Sequence, residues 1–282
     1  MQEPIPVWKI KQDSSYLVSE DLRGTVETLD QASSILPQGV YTSFRTYKRY
    51  FALHMADHFK RLNEGAALLG HAVKTNPGLI RAALKDILAT LEGKDFRVRI
   101  SIDLEDRIGD VYIMAEPLKS PPDQEYQQGV KVLTRPFQRD NPQAKSTRFI
   151  QNSLDYRSLL TNEINEVLLF NLQNEIMEGL SSNFFGVCRG VVYTANEGIL
   201  LGITRAIVLD AAKKIPIEVC LTPVSLQEIE QLEEAFLTSA SRAVLPVRQI
   251  EQTVIGTGEA GQVTRRISEA FQTHIEEDLE EI

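Results

Sequence analysis

The sequence predicts an α/β protein of the α+β kind, built from two domains. Strand-like and helical segments alternate along the 282 residues, but too unevenly for a regular βαβ barrel. The polar, proline-rich stretch 117–124 disfavours helix and has the composition of a linker. Because domains average about 150 residues, the length also suits two of them. We therefore expect a small N-terminal α/β domain over 1–118, a linker over 119–127 and a larger domain over 128–282.

Residue patterning defines the elements of the N-terminal domain. The stretch 39–47 is β-branched and aromatic and follows a turn, which predicts a strand. Apolar residues at near-helical spacing predict helices over 55–69 and 80–91, with an Asn-Pro-Gly turn before the second. The alternation over 96–102 is typical of a half-buried strand.

The same signals predict the elements of the C-terminal domain. Strands are expected over 130–133, 166–171, 184–187, 191–194 and 244–247. Helices are expected over 151–163, 205–213 and 226–235. The sequence has no glycine-rich dinucleotide or phosphate-loop fingerprint, so enzymes with those nucleotide-binding folds are disfavoured.

Composition and charge argue against several classes of protein. The chain is 43% hydrophobic and 24% charged, as in ordinary globular proteins, and no window approaches the length of a membrane span. A net charge of -9 repels nucleic acid. Two cysteines and four scattered histidines predict neither a disulfide framework nor a metal site. The segment 1–12 lacks signal-peptide character, so we expect a cytoplasmic protein.

Four segments carry residues suited to chemistry. Lys145 is a candidate amine, and Glu178 opens a run of small and polar residues that leads into a strand. The stretch 202–205 is a glycine turn in which Thr204 stands where a helix begins, so that backbone N–H groups favour an anion there. A second hydroxyl-rich turn, 238–241, lies between a predicted helix and a predicted strand.

Each of these features alone is more often structural. Hydroxyl-rich turns commonly cap helices, and a single Lys145, Glu178 or Arg61 suits a surface position, a salt bridge or the polar face of a helix. Together, however, a basic helix residue, a lysine, a carboxylate and two anion-binding turns are the parts that a pyridoxal 5'-phosphate site requires. The amine forms an imine, the carboxylate keeps the ring nitrogen protonated, and the turns and Arg61 hold the phosphate.

The sequence also resembles the class IV aminotransferases. These are fold-type IV pyridoxal-phosphate enzymes that include branched-chain-amino-acid and D-amino-acid aminotransferases and 4-amino-4-deoxychorismate lyase. The resemblance covers nearly the whole chain and is strongest over 178–183, 202–205 and 238–247, and the separation of Lys145 from Glu178 fits it. It implies a small N-terminal α/β domain, a larger C-terminal pseudo-barrel domain, and pyridoxal 5'-phosphate as the cofactor.

The resemblance also implies roles for the cofactor-binding residues. Lys145 would bond the cofactor and then carry a proton to and from the substrate Cα, while Glu178 would keep the pyridine nitrogen protonated. The positions that hold the phosphate are matched by Arg61, Ile203, Thr204, Ser239 and Ala240. Ile203 and Ala240 would act through backbone N–H groups, so the replacement of a common threonine by Ala240 leaves that donor in place.

At the substrate end, the resemblance matches Tyr41 to a small-domain aromatic residue, and Arg45 and Arg99 to two arginines of the branched-chain enzymes. Arg148 and Phe149 stand where the family commonly has asparagine and tyrosine. The resemblance then implies the loss of one hydrogen bond to the cofactor, and we expect Arg148 to meet a substrate carboxylate. No Arg-x-His pair follows Arg99, and this disfavours D-amino-acid specificity.

Taken together, these residues predict an aminotransferase that moves an amino group between a branched-chain or related amino acid and a 2-oxo acid such as 2-oxoglutarate. Two alternatives remain open: a pyridoxal-phosphate lyase of the 4-amino-4-deoxychorismate type, which releases pyruvate, and a catalytically silent homologue. The family resemblance also implies a homodimer. The expected partners are small molecules, with no nucleic acid, membrane or metal.

Overall fold

The computed structural model describes residues 5–11, 17–20 and 26–282, so the segment 1–12 lies partly outside the described residues. In chain order, the elements up to residue 117 are β1 (Val7–Ile10), β2 (Leu17–Glu20), α1 (Leu29–Ile35), β3 (Gly39–Arg45), β4 (Phe51–Leu53), α2 (Met55–Leu68), α3 (Pro77–Thr90), β5 (Phe96–Asp103) and β6 (Val111–Pro117).

The chain continues with α4 (Asp123–Gln128), β7 (Val130–Pro136), a 3-10 helix (Pro142–Ala144), α5 (Thr147–Asn152), α6 (Leu154–Arg157), β8 (Ile164–Phe170), β9 (Glu175–Gly179), β10 (Asn183–Cys188) and β11 (Val191–Tyr193). It ends with α7 (Ile203–Lys213), β12 (Val219–Cys220), β13 (Val224–Ser225), a 3-10 helix (Leu226–Gln231), β14 (Glu234–Ser239), β15 (Ala243–Ile250), β16 (Thr253–Val254), α8 (Gln262–Asp278) and β17 (Leu279–Glu281). Among the helices of the described residues, none has the length and apolar character needed to cross a bilayer.

These elements pack into two compact units. The first comprises Met1–Lys119 together with Gln143–Asn152 and Asp278–Ile282, and the second comprises Ser120–Pro142 and Ser153–Glu277. Two short pieces that follow the predicted linker in sequence therefore pack with the first unit. The three-part division at 118 and 127 stays a prediction of domain organisation.

The first unit is built on an antiparallel sheet in the order β2-β1-β6-β5-β3. Buried apolar residues of α2 and α3 pack against the alternate residues Phe96, Val98, Ile100 and Ile102 of β5. The amphipathic spacing that predicted the two helices therefore reports the face that each buries. Asn76 caps α3 by accepting a hydrogen bond from the Leu79 N–H, with Pro77 in the first turn.

The opposite face of β5 is covered as well. Leu29 and Ala32 of α1 pack with Tyr112 and Met114 of β6 in a second apolar cluster. As a result, β5 is buried along nearly its whole length rather than on one face only, and Arg99 is 2% exposed. The prediction of a half-buried strand is therefore wrong, because the sequence alternation could not reveal that α1 covers the second face.

The second unit contains a closed ring of strands. The order runs β10-β14-β15-β7-β8-β9, and the pairing of Asn183 with Glu178 joins β9 back to β10. β7 runs parallel to both β8 and β15, whereas the other pairs of the ring are antiparallel. Apolar side chains such as Phe184, Leu237 and Leu245 fill the core. This is the pseudo-barrel expected from the family resemblance, and the predicted mixed α/β fold class is confirmed.

Most predicted elements are present close to their predicted bounds. The strands predicted at 39–47, 130–133, 166–171, 184–187, 191–194 and 244–247 correspond to β3, β7, β8, β10, β11 and β15. The helices predicted at 55–69, 80–91 and 205–213 correspond to α2, α3 and α7.

The helix predicted over 151–163 is wrong. α5 ends at Asn152 and α6 is a single turn, after which the Thr161 hydroxyl accepts hydrogen bonds from the N–H groups of Glu163 and Ile164. A threonine that binds the backbone in this way stabilises a turn in place of a helix. The chain then enters β8.

The helix predicted over 226–235 is also wrong. Ser225 and Glu228 form a capping box, but the helix is of the 3-10 type and ends at Gln231. Residues 234–239 form β14, which pairs with β10, so strand pairing overrides the local helical pattern. The predicted bend 238–241 therefore joins two strands rather than a helix and a strand.

The stretch 117–124 was also interpreted as unfavourable to helix, which is wrong at its end. α4 begins at Asp123 directly after Pro122, and Asp123 and Glu125 lie in its first turn. Acidic side chains at a helix N-terminus interact favourably with the helix dipole.

Candidate active site

Strand β3 of the first unit holds the segment that carries Lys145. The Tyr41 N–H donates to the Lys145 carbonyl at 3.0 Å, and the Gly39 N–H donates to Thr147 Oγ1 at 2.9 Å. Lys145 is half-buried and has a φ of 47°, in the left-handed region that few residues with a Cβ adopt. Such conformations persist only where the surroundings enforce them, and they are concentrated at functional sites.

The Tyr41 ring lies next to two cations. The Lys145 Nζ is 4.8 Å from the ring centroid, and the Arg99 Cζ is 4.7 Å from it. Both distances are within the range of cation–π attraction. Three of the predicted site residues of this unit are therefore brought together at one buried ring.

Arg61, on α2, interacts electrostatically with Tyr41 and with His58. Burial lowers the pKa of Arg61 to about 10, and acidic neighbours including Asp57 and Tyr41 oppose this shift, so the side chain stays cationic at neutral pH. One turn earlier, the ring of His58 lies 2.6 Å from the Thr42 hydroxyl. Burial, followed by the positive charges of Arg61 and Lys145, holds the pKa of His58 well below its usual value.

The arginines predicted to bind substrate have protein partners in this unit. The Arg99 guanidinium donates to the Leu29 carbonyl, Ser33 Oγ, Asp30 Oδ1 and Ser43 Oγ. Arg45 pairs with Asp95 at 3.6 Å, and its guanidinium lies 4.5 Å from the Tyr47 ring centroid. Arg148 is exposed and donates from Nε to Gln38 Oε1, while Phe149 is buried.

Glu178, in the second unit, is a buried carboxylate bound by donors from other segments of the chain. Arg139 Nη1 donates to Oε1 at 2.7 Å, and the Leu200 N–H donates to Oε2 at 3.2 Å. Both side chains of this ion pair are less than a tenth exposed. The pair also forms part of the wall of a cavity of about 290 Å³ that is lined further by Phe137, Leu169 and Met177.

Asn183 connects the segments that carry the predicted cofactor residues of this unit. It pairs with Glu178 on one side and with Thr238 on the other, and its Nδ2 donates to the Leu200 carbonyl at 2.8 Å. A Cβ on Gly202 would lie only 2.3 Å from Asn183 Oδ1. The glycine therefore allows the chain to pass close to Asn183 just before α7 begins.

Ile203 and Thr204 form the first turn of α7, where Gly202 is the N-cap and provides no side-chain hydrogen bond. α7 packs against β14, which ends at Ser239. Within the described residues, the buried Thr238 Oγ1 has no hydrogen-bond partner. The start of α7 and the end of β14 thus each offer hydrogen-bond donors to an acceptor such as a phosphate oxygen.

Sequence reasoning did not find several residues that support these groups. Arg139, Glu166 and Arg242 were not predicted as site residues, and Asn183 and Thr238 were noted only as parts of motifs. Their roles depend on strand pairing between distant segments, and Arg242, for example, binds Glu166 76 residues away. Each residue taken alone has no distinguishing sequence signal.

Comparison with known proteins decides the family. The family model for amino-transferase class IV matches residues 39–250. The chain belongs to the class IV aminotransferase family.

A relative from Thermotoga maritima, named a probable branched-chain-amino-acid aminotransferase, is 30% identical over 248 residues, which is 85% of this chain and 87% of that protein. The chain spans about half the length of some other relatives, such as a Methanocaldococcus jannaschii protein that is 30% identical over 145 residues, 51% of this chain and 50% of that protein. A solved branched-chain amino acid aminotransferase from T.th. with pyridoxamine 5'-phosphate has a TM-score of 0.80 at 20% identity and covers 100% of this chain and 99% of that one. This structural likeness confirms the fold-type IV architecture.

Proposed function

We propose that this class IV family member is a pyridoxal-phosphate-dependent aminotransferase. It moves an amino group between a branched-chain or related amino acid and a 2-oxo acid such as 2-oxoglutarate. The buried Glu178–Arg139 pair is the main support for this proposal. A buried carboxylate with a compensating cation is suited to hold the protonated ring nitrogen of the cofactor. When bound, the cofactor supplies an electron sink for the bonds of the substrate Cα.

The donor set of the second unit fits the cofactor's phosphate. Phosphate oxygens only accept hydrogen bonds at full ionisation, and the unit offers the backbone N–H groups of Ile203 and Thr204 at the start of α7. The Thr238 hydroxyl has no partner among the described residues, and the Ser239 hydroxyl lies next to it in sequence. The N–H of Ala240 is the corresponding backbone donor in the second turn. Arg61 is proposed to add the positive charge.

Lys145 is proposed as the catalytic residue. Its backbone is held in a left-handed conformation by the hydrogen bond from Tyr41, which restricts where the side chain can reach. Its Nζ would bond the cofactor and later carry the proton to and from the substrate Cα. Tyr41 would limit the positions open to the amine, because its ring lies 4.8 Å from Nζ.

Support for the substrate class comes from the relatives. The T.th. enzyme has been solved with N-(5'-phosphopyridoxyl)-L-glutamate and with 4-methylvaleric acid, a dicarboxylate adduct and a branched aliphatic acid. Tyr41, Arg45, Arg99 and Arg148 remain the proposed substrate residues of this chain. The partners that hold Arg99 weigh against a direct contact with a carboxylate, whereas the exposed Arg148 is better placed to meet a solute. A homodimer and a cytoplasmic location remain proposals as well.

The test is to mix the purified protein, loaded with pyridoxal 5'-phosphate, with leucine and 2-oxoglutarate and to measure glutamate formation. Spectra recorded with leucine alone should show conversion of the cofactor to its pyridoxamine form. A parallel sample receives 4-amino-4-deoxychorismate and is assayed for pyruvate. Pyruvate without amino transfer would identify the lyase, and no reaction with leucine, with other single amino acids or with 4-amino-4-deoxychorismate would identify a silent homologue.

A further inference from the structure

A buried carboxylate in the second unit is surrounded by donors from two separate turns. Glu166 on β8 is fully buried, and its Oε2 accepts hydrogen bonds from Ser181 Oγ at 2.7 Å, Ser182 Oγ at 2.9 Å and Arg242 Nη2 at 2.7 Å. Burial alone would raise the pKa of Glu166, but Arg242 and the two serine hydroxyls outweigh burial and hold the pKa below its usual value. Glu166 is therefore ionised at neutral pH.

Every N–H group of the Arg242 guanidinium donates a hydrogen bond within the protein. In addition to Glu166, Nη2 donates to Ser181 Oγ at 2.8 Å, and Nη1 donates to the carbonyl and Oδ1 of Asn165. The fifth donor, Nε, binds Ser239 Oγ at 3.2 Å. A guanidinium has five N–H groups, so all of them are used and the side chain has a fixed orientation. Arg242 cannot itself turn towards a ligand without losing one of these bonds.

The hydrogen bond from Arg242 restricts the orientation of the Ser239 hydroxyl. A hydroxyl has one hydrogen to donate and two lone pairs that accept. Since Arg242 Nε occupies a lone pair of Ser239, the Ser239 hydrogen is directed towards another acceptor. A phosphate group presents only acceptors when it is fully ionised, so it suits a hydroxyl oriented in this way.

The same cluster reaches the segment that follows Glu178. Ser181 and Ser182 lie directly after the end of β9, and both bind Glu166. A Cβ on Gly179 would lie 2.4 Å from Ser182 Oγ and 2.9 Å from the Glu166 Cγ, so glycine is needed where this cluster packs against the strand. The ion pair of Arg242 with the buried Glu166 thus joins the turn after Glu178 to the turn that carries Ser239.

We infer that Arg242, held by Glu166, is a positioning residue that orients the Ser239 hydroxyl to donate to the cofactor phosphate. This inference rests on the proposed function, because it requires pyridoxal 5'-phosphate as the ligand. It gives Arg242 an indirect role in cofactor affinity and none in the bond-breaking chemistry.

The experiment is a double-mutant cycle of Arg242→Met and Ser239→Ala, measured as dissociation constants of the full chain for pyridoxal 5'-phosphate and for pyridoxal. Each single variant should weaken phosphate-ester binding about tenfold or more, leave pyridoxal binding unchanged, and add nothing when combined. A second cycle in a Glu166→Gln background avoids leaving a buried charge unpaired. Arg135→Met, which breaks the partly exposed pair with Glu251, is the matched control and should change neither constant.

If the wild-type protein binds pyridoxal 5'-phosphate, three outcomes for the variants would overturn the inference and leave the proposed function in place. These are losses that multiply in the double variant, equal weakening of both ligands, or an Arg242 variant that binds as the wild type does. Ser239→Ala tests the inference even where Arg242 variants fail to fold, because unchanged phosphate-ester affinity in that variant contradicts it. A wild-type protein that binds no pyridoxal 5'-phosphate would overturn both the inference and the proposed function.

Discussion

Arg139 donates a hydrogen bond from Nη1 to Oε1 of Glu178 at 2.7 Å, and both side chains are less than a tenth exposed. Removing one member of a buried ion pair leaves the other charge without compensation. Arg139 therefore places a compensating positive charge beside the buried Glu178 carboxylate, although Arg139 belongs to none of the sequence motifs that predicted the site.

We expect Arg139→Met to lower the free energy of unfolding by about 3 kcal/mol, as for other broken buried pairs, and to weaken cofactor binding. The partly exposed pair of Arg135 and Glu251 provides the control, since Arg135→Met should cost less than about 1 kcal/mol. Urea denaturation of both variants measures the difference. Equal, small losses would show that Glu178 does not depend on Arg139.

Gly179→Ala should destabilise the second unit by about 1 to 3 kcal/mol, because the new methyl group would meet Ser182 Oγ at 2.4 Å and Glu166 Cγ at 2.9 Å. Gly78→Ala is the control, since its Cβ would make only an ordinary contact at 3.6 Å in α3 and alanine favours helix. Thermal unfolding of the two variants should separate them. A stable Gly179→Ala protein would mean that the Glu166 cluster can move aside.

The stability of the first unit should fall as the pH drops below about 6.5. Burial and the charges of Arg61 and Lys145 hold the pKa of His58 well below its usual value, so the unfolded chain binds a proton that the folded chain does not. The stabilising contribution of neutral His58 is complete above the unfolded pKa and is lost as the pH falls.

Denaturation between pH 7.5 and pH 5 measures this dependence, whose slope from one proton is at most about 1.4 kcal/mol per pH unit. His58→Asn should reduce the slope, whereas His71→Asn in the same unit should keep it. An unchanged slope in the His58 variant would assign the dependence to other groups.

Arg99→Met should lower the free energy of unfolding by about 2 to 3 kcal/mol, because the guanidinium binds Asp30, Ser33 and the Leu29 carbonyl in a buried position. We expect the use of leucine and of glutamate to decline together. The comparison of kcat/KM for the two amino donors checks this. A selective loss of glutamate use would instead indicate that Arg99, which the sequence matches to an arginine of the branched-chain enzymes, contacts the distal carboxylate of the substrate.

Local patterns predicted the parts of the fold that local physics controls. The spacing of Phe59, Leu62 and Ala66 predicts α2 because these residues bury one helical face, and they do so in the structure. The pattern over 226–235 failed because β14 pairs with β10, and strand pairing between distant segments outweighs a short helical preference.

The predicted site residues were found through motif resemblance, and their environments required the structure. The sequence places Arg99 on a strand with alternating residues, where solvent exposure is the ordinary expectation. Helix α1, which lies about 70 positions away in sequence, covers this face of the strand. Arg99 is therefore buried and binds Asp30. Arg242 and Glu166 are similarly distant in sequence, so no local pattern could have paired them.

Borohydride reduction followed by peptide mass spectrometry shows whether Lys145 bonds pyridoxal 5'-phosphate. Reduction fixes the cofactor to the amine that holds it. We predict a pyridoxyl label on the peptide that contains Lys145 and no label in Lys145→Ala, which should still bind some cofactor through its phosphate donors. A label on any other lysine, or a purified protein that takes up no cofactor, would contradict the account.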